Sequence, residues 1–341
     1  MKEDVKNRIE WIDTAKGLGL IFVILGHLHT PYISTWVYLF HMPLFFFLSG
    51  VTFSGEKYTF KQFIVKRLKT LVIPYFTLGI FIWLFYVIVN TVISPDVGEY
   101  GTNMEMLFSL LIQEHFWTIW FLAALFITEI VYYNIDLVSK KRAWLSTLLS
   151  VVLCIIGLAR YRFDLGGLPW NIDVALVAQF FFHTGLLFKK YKNVHNIIFC
   201  TQKIKFFLNV TGLFVINVVA GVLCMKLSGE SLDMSIGMYG NELLTMISAF
   251  AGILLIVALS NKIHNKFINY IGRNTMIIFA WHSRIVIVLF QYIFAGVGIF
   301  QNDSMAERFL YTAVMFVLIL LILVPVTELI KKTKIHALFG V

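Results

Sequence analysis

"DTAKGLGLIFVILGH", Asp13 to His27, reads as the start of a membrane helix, yet it carries a lysine and a histidine eleven residues apart. Ionisable side chains are costly in hydrocarbon, and one found there is a functional-site hypothesis by default. At about 100° per residue, eleven steps come to three turns plus roughly 20°, so Lys16 and His27 share one stripe, about 16 Å apart along the axis. Asp13, three residues before Lys16, joins that face. Leu18, Ile21, Phe22 and Leu25 are left to meet lipid or other helices. A snorkelling lysine or a solvated terminal histidine would explain either residue alone; their shared stripe points instead to an internal polar cavity.

The rest of the chain supports a membrane reading. Of its 341 residues 59% are hydrophobic and 14% charged, and 33 are Phe. Soluble domains carry about 25% charged residues, and the mean hydropathy here is +0.82. Apolar runs of about 20 residues predict ten spans: Ile12–His29, Ile33–Phe53, Leu71–Ile93, Trp117–Val138, Ala143–Ala159, Val174–Phe188, Phe206–Met225, Leu243–Ser260, Thr275–Ala295 and Phe309–Ile330. The expected fold is all-α, a polytopic bundle of about ten transmembrane helices forming a single domain over residues 1–341.

Charge asymmetry orients that bundle. With the N-terminus in the cytoplasm, the outer segments hold only Arg160, Arg162, Lys226 and Arg308. Arg284 lies within a span, and the rest of the 28 Lys and Arg fall on the inner side. The positive-inside rule then makes both termini cytoplasmic. The formal charge of +9 thus belongs to thin inner loops that attract anionic lipid or a phosphate-bearing ligand, and a nucleic-acid partner is not expected. Cys154, Cys200 and Cys224 have no metal-ligand spacing, so no metal is expected. No cleavage site follows the first apolar run, which is expected to act as its own insertion signal.

Depth follows from this topology. Glu129 falls about 18 Å below the outer face on the fourth span, near the level of Lys16, and the two form a candidate buried pair. His41 falls about 12 Å below the outer face on the second span. His282 and Arg284, in "FAWHSR", lie near mid-membrane, and Trp117 sits at an interface. A cationic inner mouth of Lys16, Arg67 and Arg273 opposes an imidazole, His27, at the far end. Phosphates favour the first, and histidine is the usual general base near neutral pH. A solute or polysaccharide-unit transporter would also have a polar cavity, but would show internal repeats or broken helices in matching positions.

These motifs resemble those of the acyltransferase 3 family of membrane O-acyltransferases. Lys16-x10-His27 is similar to that family's first-helix signature, "FHMPLFFFLSG" (Phe40–Gly50) to its second-helix motif, and "KRLKTLVIPY" (Lys66–Tyr75) to its basic loop. "WTIWFLAALF" and "YIGRNTMIIFAWH" match later segments, with Thr275 in place of a Ser and Phe279 in place of a Tyr. The resemblance is nearest to fucose 4-O-acetylase-type and capsule or exopolysaccharide acetyltransferases. It implies transfer of an acyl group, acetyl above all, from cytoplasmic acyl-CoA to a glycan or lipid-linked oligosaccharide in a bacterial cell membrane. His27 and His282 would be catalytic, and Lys16, Arg67 and Arg273 would hold acetyl-CoA. Asp13, His41, Glu129, Trp117 and Arg284 would serve the substrate or the polar frame.

Overall fold

The computed structural model describes residues 9–92, 103–113, 118–199, 201–300 and 304–341. Trp117 and Cys200 lie outside the described residues. Sixteen α-helices follow in order: α1 (Glu10–His27), α2 (Ile33–Tyr38), α3 (His41–Thr52), α4 (Phe60–Arg67), α5 (Ile73–Val92), α6 (Asn103–Ile112), α7 (Trp120–Ser139) and α8 (Ala143–Arg162). Then come α9 (Ile172–Lys190), α10 (Lys192–Ile198), α11 (Lys203–Ser228), α12 (Glu242–Ser260), α13 (Lys266–Arg273), α14 (Thr275–Trp281), α15 (Val288–Val297) and α16 (Met305–Lys331). Extended pairing among the described residues is limited to one isolated bridge, Asp233 to Met238. The protein is an all-α polytopic membrane protein. Helices are what hydrocarbon demands, because each satisfies its own backbone polar groups.

Nine helical stretches among the described residues are long and apolar enough to cross a membrane. Each overlaps one of the ten expected spans. The remaining expected span is α1, 18 residues long, which includes Glu10, Asp13 and Lys16. Its surroundings explain how it carries them. Ala15, Leu20, Val23 and Ile24 are fully buried, so α1 is a central helix clad by others. The periphery belongs to α8, α11 and α16, with exposed apolar side chains such as Ile155, Val215, Ile216, Val317 and Leu321.

Two expected elements are corrected. The second span is broken: α2 ends at Tyr38, Phe40 leaves helical geometry at φ −149°, and α3 begins at His41. Pro43 supplies a reason, since in the first turn of α3 it has no N–H to offer the Leu39 carbonyl. Val37 O near the break accepts from Phe40 N at 3.2 Å and from His41 Nδ1 at 2.9 Å. The basic "loop" is a helix. From Phe60 to Thr91 the chain is continuous, α4 running through a π-helical turn (Leu68–Val72) into α5. Pro74 cannot donate to Thr70 O, and Ile73 N reaches back five residues to Leu68 O.

At its lower end α1 is crossed by the short helix α13 at backbone contact. A methyl group on Gly272 would strike the Asp13 carbonyl, and one on Gly17 would strike the Ile268 carbonyl. Small residues at a membrane-helix crossing permit this approach. It carries polar links: Thr14 Oγ1 donates to Asn269 Oδ1 at 2.6 Å, and Asn269 Nδ2 donates to Glu10 Oε1 at 3.0 Å.

Candidate active site

His27 is the last residue of α1, and His282 opens a π-helical turn (His282–Ile287) between α14 and α15. The fold brings them together. His282 Nε2 lies 3.3 Å from His27 Nδ1, with ring centroids 4.9 Å apart. Their tautomers follow from the partners, because a carbonyl oxygen only accepts. His282 Nδ1 lies 2.8 Å from Phe279 O and 3.0 Å from Ile278 O, so Nδ1 carries the proton and Nε2 a lone pair. His27 Nδ1 lies 2.9 Å from Val23 O. Its proton is therefore shared between that carbonyl and the lone pair of His282. The lone pair of His27 is left on Nε2, the arrangement of an oriented general base.

His41 joins the group on the same pattern, its Nδ1–H held by Val37 O. Tyr38 stands between, its ring 4.9 Å from His41 and 6.2 Å from His27. The histidines His27 and His41 line a narrow cleft with Tyr38, Thr118, Asp233 and Phe279. Arg284 is near enough for its charge to act on His27 and Tyr38. Asp233 Oδ1 accepts from Ser235 N at 2.9 Å and Ser235 Oγ at 2.6 Å, which fixes the carboxylate at the cleft edge. Phe279 brings no hydroxyl to the cleft; its phenol is that of Tyr38. Tyr38 stands at the end of α2, just before the break that leads into α3, so no helical spacing in the sequence tied it to His41. Asp233 and Ser235 belong to a connecting segment with no periodicity to betray them.

The inner residues are rearranged relative to the sequence reading. Glu129, 5% exposed, forms an ion pair with Arg67, 18% exposed, a partner that the sequence reading did not name. The cause is the continuous helix through residues 60–91, which carries the Arg67 guanidinium to α7 where a loop would have left it in water. Lys16 and Lys66 still act on Glu129 through their charge. Arg273 Nε donates to Asp13 Oδ2 at 2.7 Å, so these two residues tie α13 to α1. Between the two ends, Phe45, Phe121 and Phe279 form a ring cluster with centroids 5.7–6.5 Å apart. Phe45 lies against Gly19, less than one helical turn beyond Lys16 on the way to His27.

A basic inner end and the His27 imidazole share one unbroken helix, as the Lys-x10-His spacing implied, and the contact with His282 is added by the fold. Residues 9–326 match the acyltransferase 3 family, described as "Acyltransferase domain". The chain belongs to the acyltransferase 3 family. Among curated proteins the chain is similar to "Nodulation protein NolL" of Mesorhizobium japonicum, 29% identical over 154 residues, or 41% of this chain and 39% of that one. It is also similar to "Nodulation protein NolL" of Sinorhizobium fredii, 28% identical over 179 residues, 46% of each chain. Each match thus spans less than half the length of the relative. No solved structure matches the acyltransferase.

Proposed function

We propose that this acyltransferase moves an acetyl group from cytoplasmic acetyl-CoA to a hydroxyl of a glycan or lipid-linked oligosaccharide at the outer face of a bacterial cell membrane. The observation that carries the reading is the His27–His282 contact, with its Nε2 lone pair on His27, placed on the same helix as Lys16 and about 16 Å from it. That separation is comparable with the reach of a pantetheine arm, so a thioester entering at the basic end meets the base without the nucleotide crossing the bilayer.

His27 Nε2 takes the proton of the acceptor hydroxyl as its oxygen attacks the thioester carbonyl. The C–S bond then breaks, the sulfur leaves with its electron pair, and the imidazolium returns the proton to give the free thiol. His282 acts as a positioning residue. Its Nε2 accepts the His27 Nδ1–H, holding the ring in the productive tautomer as the charge develops. Since His282 has no proton on Nε2 in this tautomer, polarising the carbonyl oxygen falls to Arg284, whose positive charge suits a developing oxyanion. At the inner end Lys16 and Arg67 meet the donor phosphates, while Arg273, held by Asp13, lines their approach.

Purified protein in liposomes tests the reading. Tritiated acetyl-CoA is supplied on the face bearing Lys331, Lys332 and Lys334, and methyl glycosides on the other. Labelled glycoside ester is the expected product. Acetyl-CoA left intact, with transport of glycoside instead, overturns the proposal in favour of a transporter.

Lys16→Ala tests the donor end. The apparent KM for acetyl-CoA is expected to rise about tenfold, the value of one charge-assisted contact, and raising ionic strength should weaken donor binding in the native protein. A donor KM unmoved in a folded Lys16→Ala protein would remove Lys16 from the phosphate site.

A further inference from the structure

His27 faces a second space besides the histidine cleft. On the outer side a cavity of about 430 Å3 opens between the end of α1, α15 and the start of α16. Its volume falls within the range of small-molecule sites, about 300–1,000 Å3. One wall is aromatic. Phe294, Phe300 and Tyr311 pack on one another with ring centroids 5.1, 5.5 and 6.2 Å apart. Phe300 is held there at φ 58°, a left-handed conformation that costs a side-chain-bearing residue about 1–2 kcal/mol. Besides His27, the cavity's polar lining is the Gln291 amide, the Glu307 carboxylate, the Arg308 guanidinium, the His29 imidazole and the Tyr311 hydroxyl.

We infer that this vestibule is the acceptor subsite and that it holds one neutral pyranose ring with its reacting hydroxyl toward His27. The inference rests on the glycan acylation proposed above and names the residues that would read the sugar. Four features select that ligand. Aromatic faces take up the C–H face of a sugar ring, whereas a free phosphate or carboxylate ligand has no use for them. A carboxylate accepts only, a guanidinium donates only and an amide does both, which suits a ring of hydroxyls that both donate and accept. The Glu307 carboxylate and the Arg308 guanidinium bring opposite charges to one cavity, which suits a neutral ligand better than an anion. An acyl chain has no hydrogen bond to offer the amide, the carboxylate or the guanidinium, whereas a polyol does. His27 lies on the boundary between this vestibule and the histidine cleft. Donor and acceptor therefore approach the same imidazole from opposite sides. Glu307 and Arg308 lie in the first turns of α16, away from every motif read in the sequence.

The test measures steady-state transfer from tritiated acetyl-CoA to a panel of methyl pyranosides (glucoside, galactoside and fucoside). For the best glycoside, Tyr311→Ala and Arg308→Ala should each raise the acceptor KM about tenfold or more, with the acetyl-CoA KM within twofold of native. Glu307→Gln should also alter the order of preference among the three glycosides. Should Tyr311→Ala fail to fold by size-exclusion chromatography, Gln291→Ala and Arg308→Ala, at exposed positions, carry the same test. Acceptor KM values unmoved in folded variants, with native transfer intact, would overturn the vestibule assignment alone. Native protein that acetylates none of the glycosides would overturn the assignment together with the proposed acceptor class.

Discussion

His27→Gln is expected to lower glycan acetylation by about 10²-fold or more, the usual contribution of a positioned general base. Glutamine keeps a hydrogen-bonding side chain at the end of α1 but cannot take up a proton, so the chemistry is removed while packing is largely kept. Expression and membrane insertion should stay near native levels, because replacing an imidazole near a helix end adds no charge. Acetyl-CoA binding should persist, since Lys16 lies about 16 Å away along the helix. The native rate should also fall as pH is lowered, because a protonated Nε2 has no lone pair to offer. In the variant this acid limb should vanish along with the activity. A His27→Gln protein with near-native turnover would make the histidine a helix cap and move proton transfer to His41 or His282. Measuring transfer rates from pH 5 to 8 in both proteins decides the matter.

The second large effect concerns stability. Glu129→Gln removes the carboxylate that faces Arg67 across a buried contact, with Lys16 and Lys66 acting on the same point. Breaking one side of a buried ion pair costs about 3–5 kcal/mol, because the remaining charge is left in a poorly solvated place. The apparent Tm in detergent, at a fixed heating rate, is expected to drop by roughly 5 °C or more. Glu129→Gln combined with Arg67→Met removes both partners and should recover most of that loss. The double variant should nonetheless bind acetyl-CoA more weakly, since a phosphate contact has gone with the guanidinium. A Glu129→Gln protein as stable as native would mean that the cations around Glu129 are adequately solvated. The carboxylate would then have no structural task.

Several features of this acyltransferase were determined by the sequence alone. Hydrocarbon admits only apolar helices, so their number and order follow from hydropathy. An unbroken α1 fixes the Lys16-to-His27 separation, because helical rise and pitch are constants of the backbone. The sequence also marked the ionisable residues of the first and ninth spans as a candidate site, because charge within a membrane is costly. Partner choice was not readable. Arg67 meets Glu129 because residues 60–91 form one continuous helix, with a π turn ahead of Pro74, where the sequence reading had a loop. Arg273 meets Asp13 because Gly17 and Gly272 let α13 touch α1, and no pattern within either segment encodes the other. His282 reaches His27 only once α14 packs beside α1, and the vestibule exists only where α15 and α16 close over the end of α1. Local spacing dictates what lies along one helix; which helices face each other is decided by packing over the whole chain, and it is that packing that assigns each buried charge its partner.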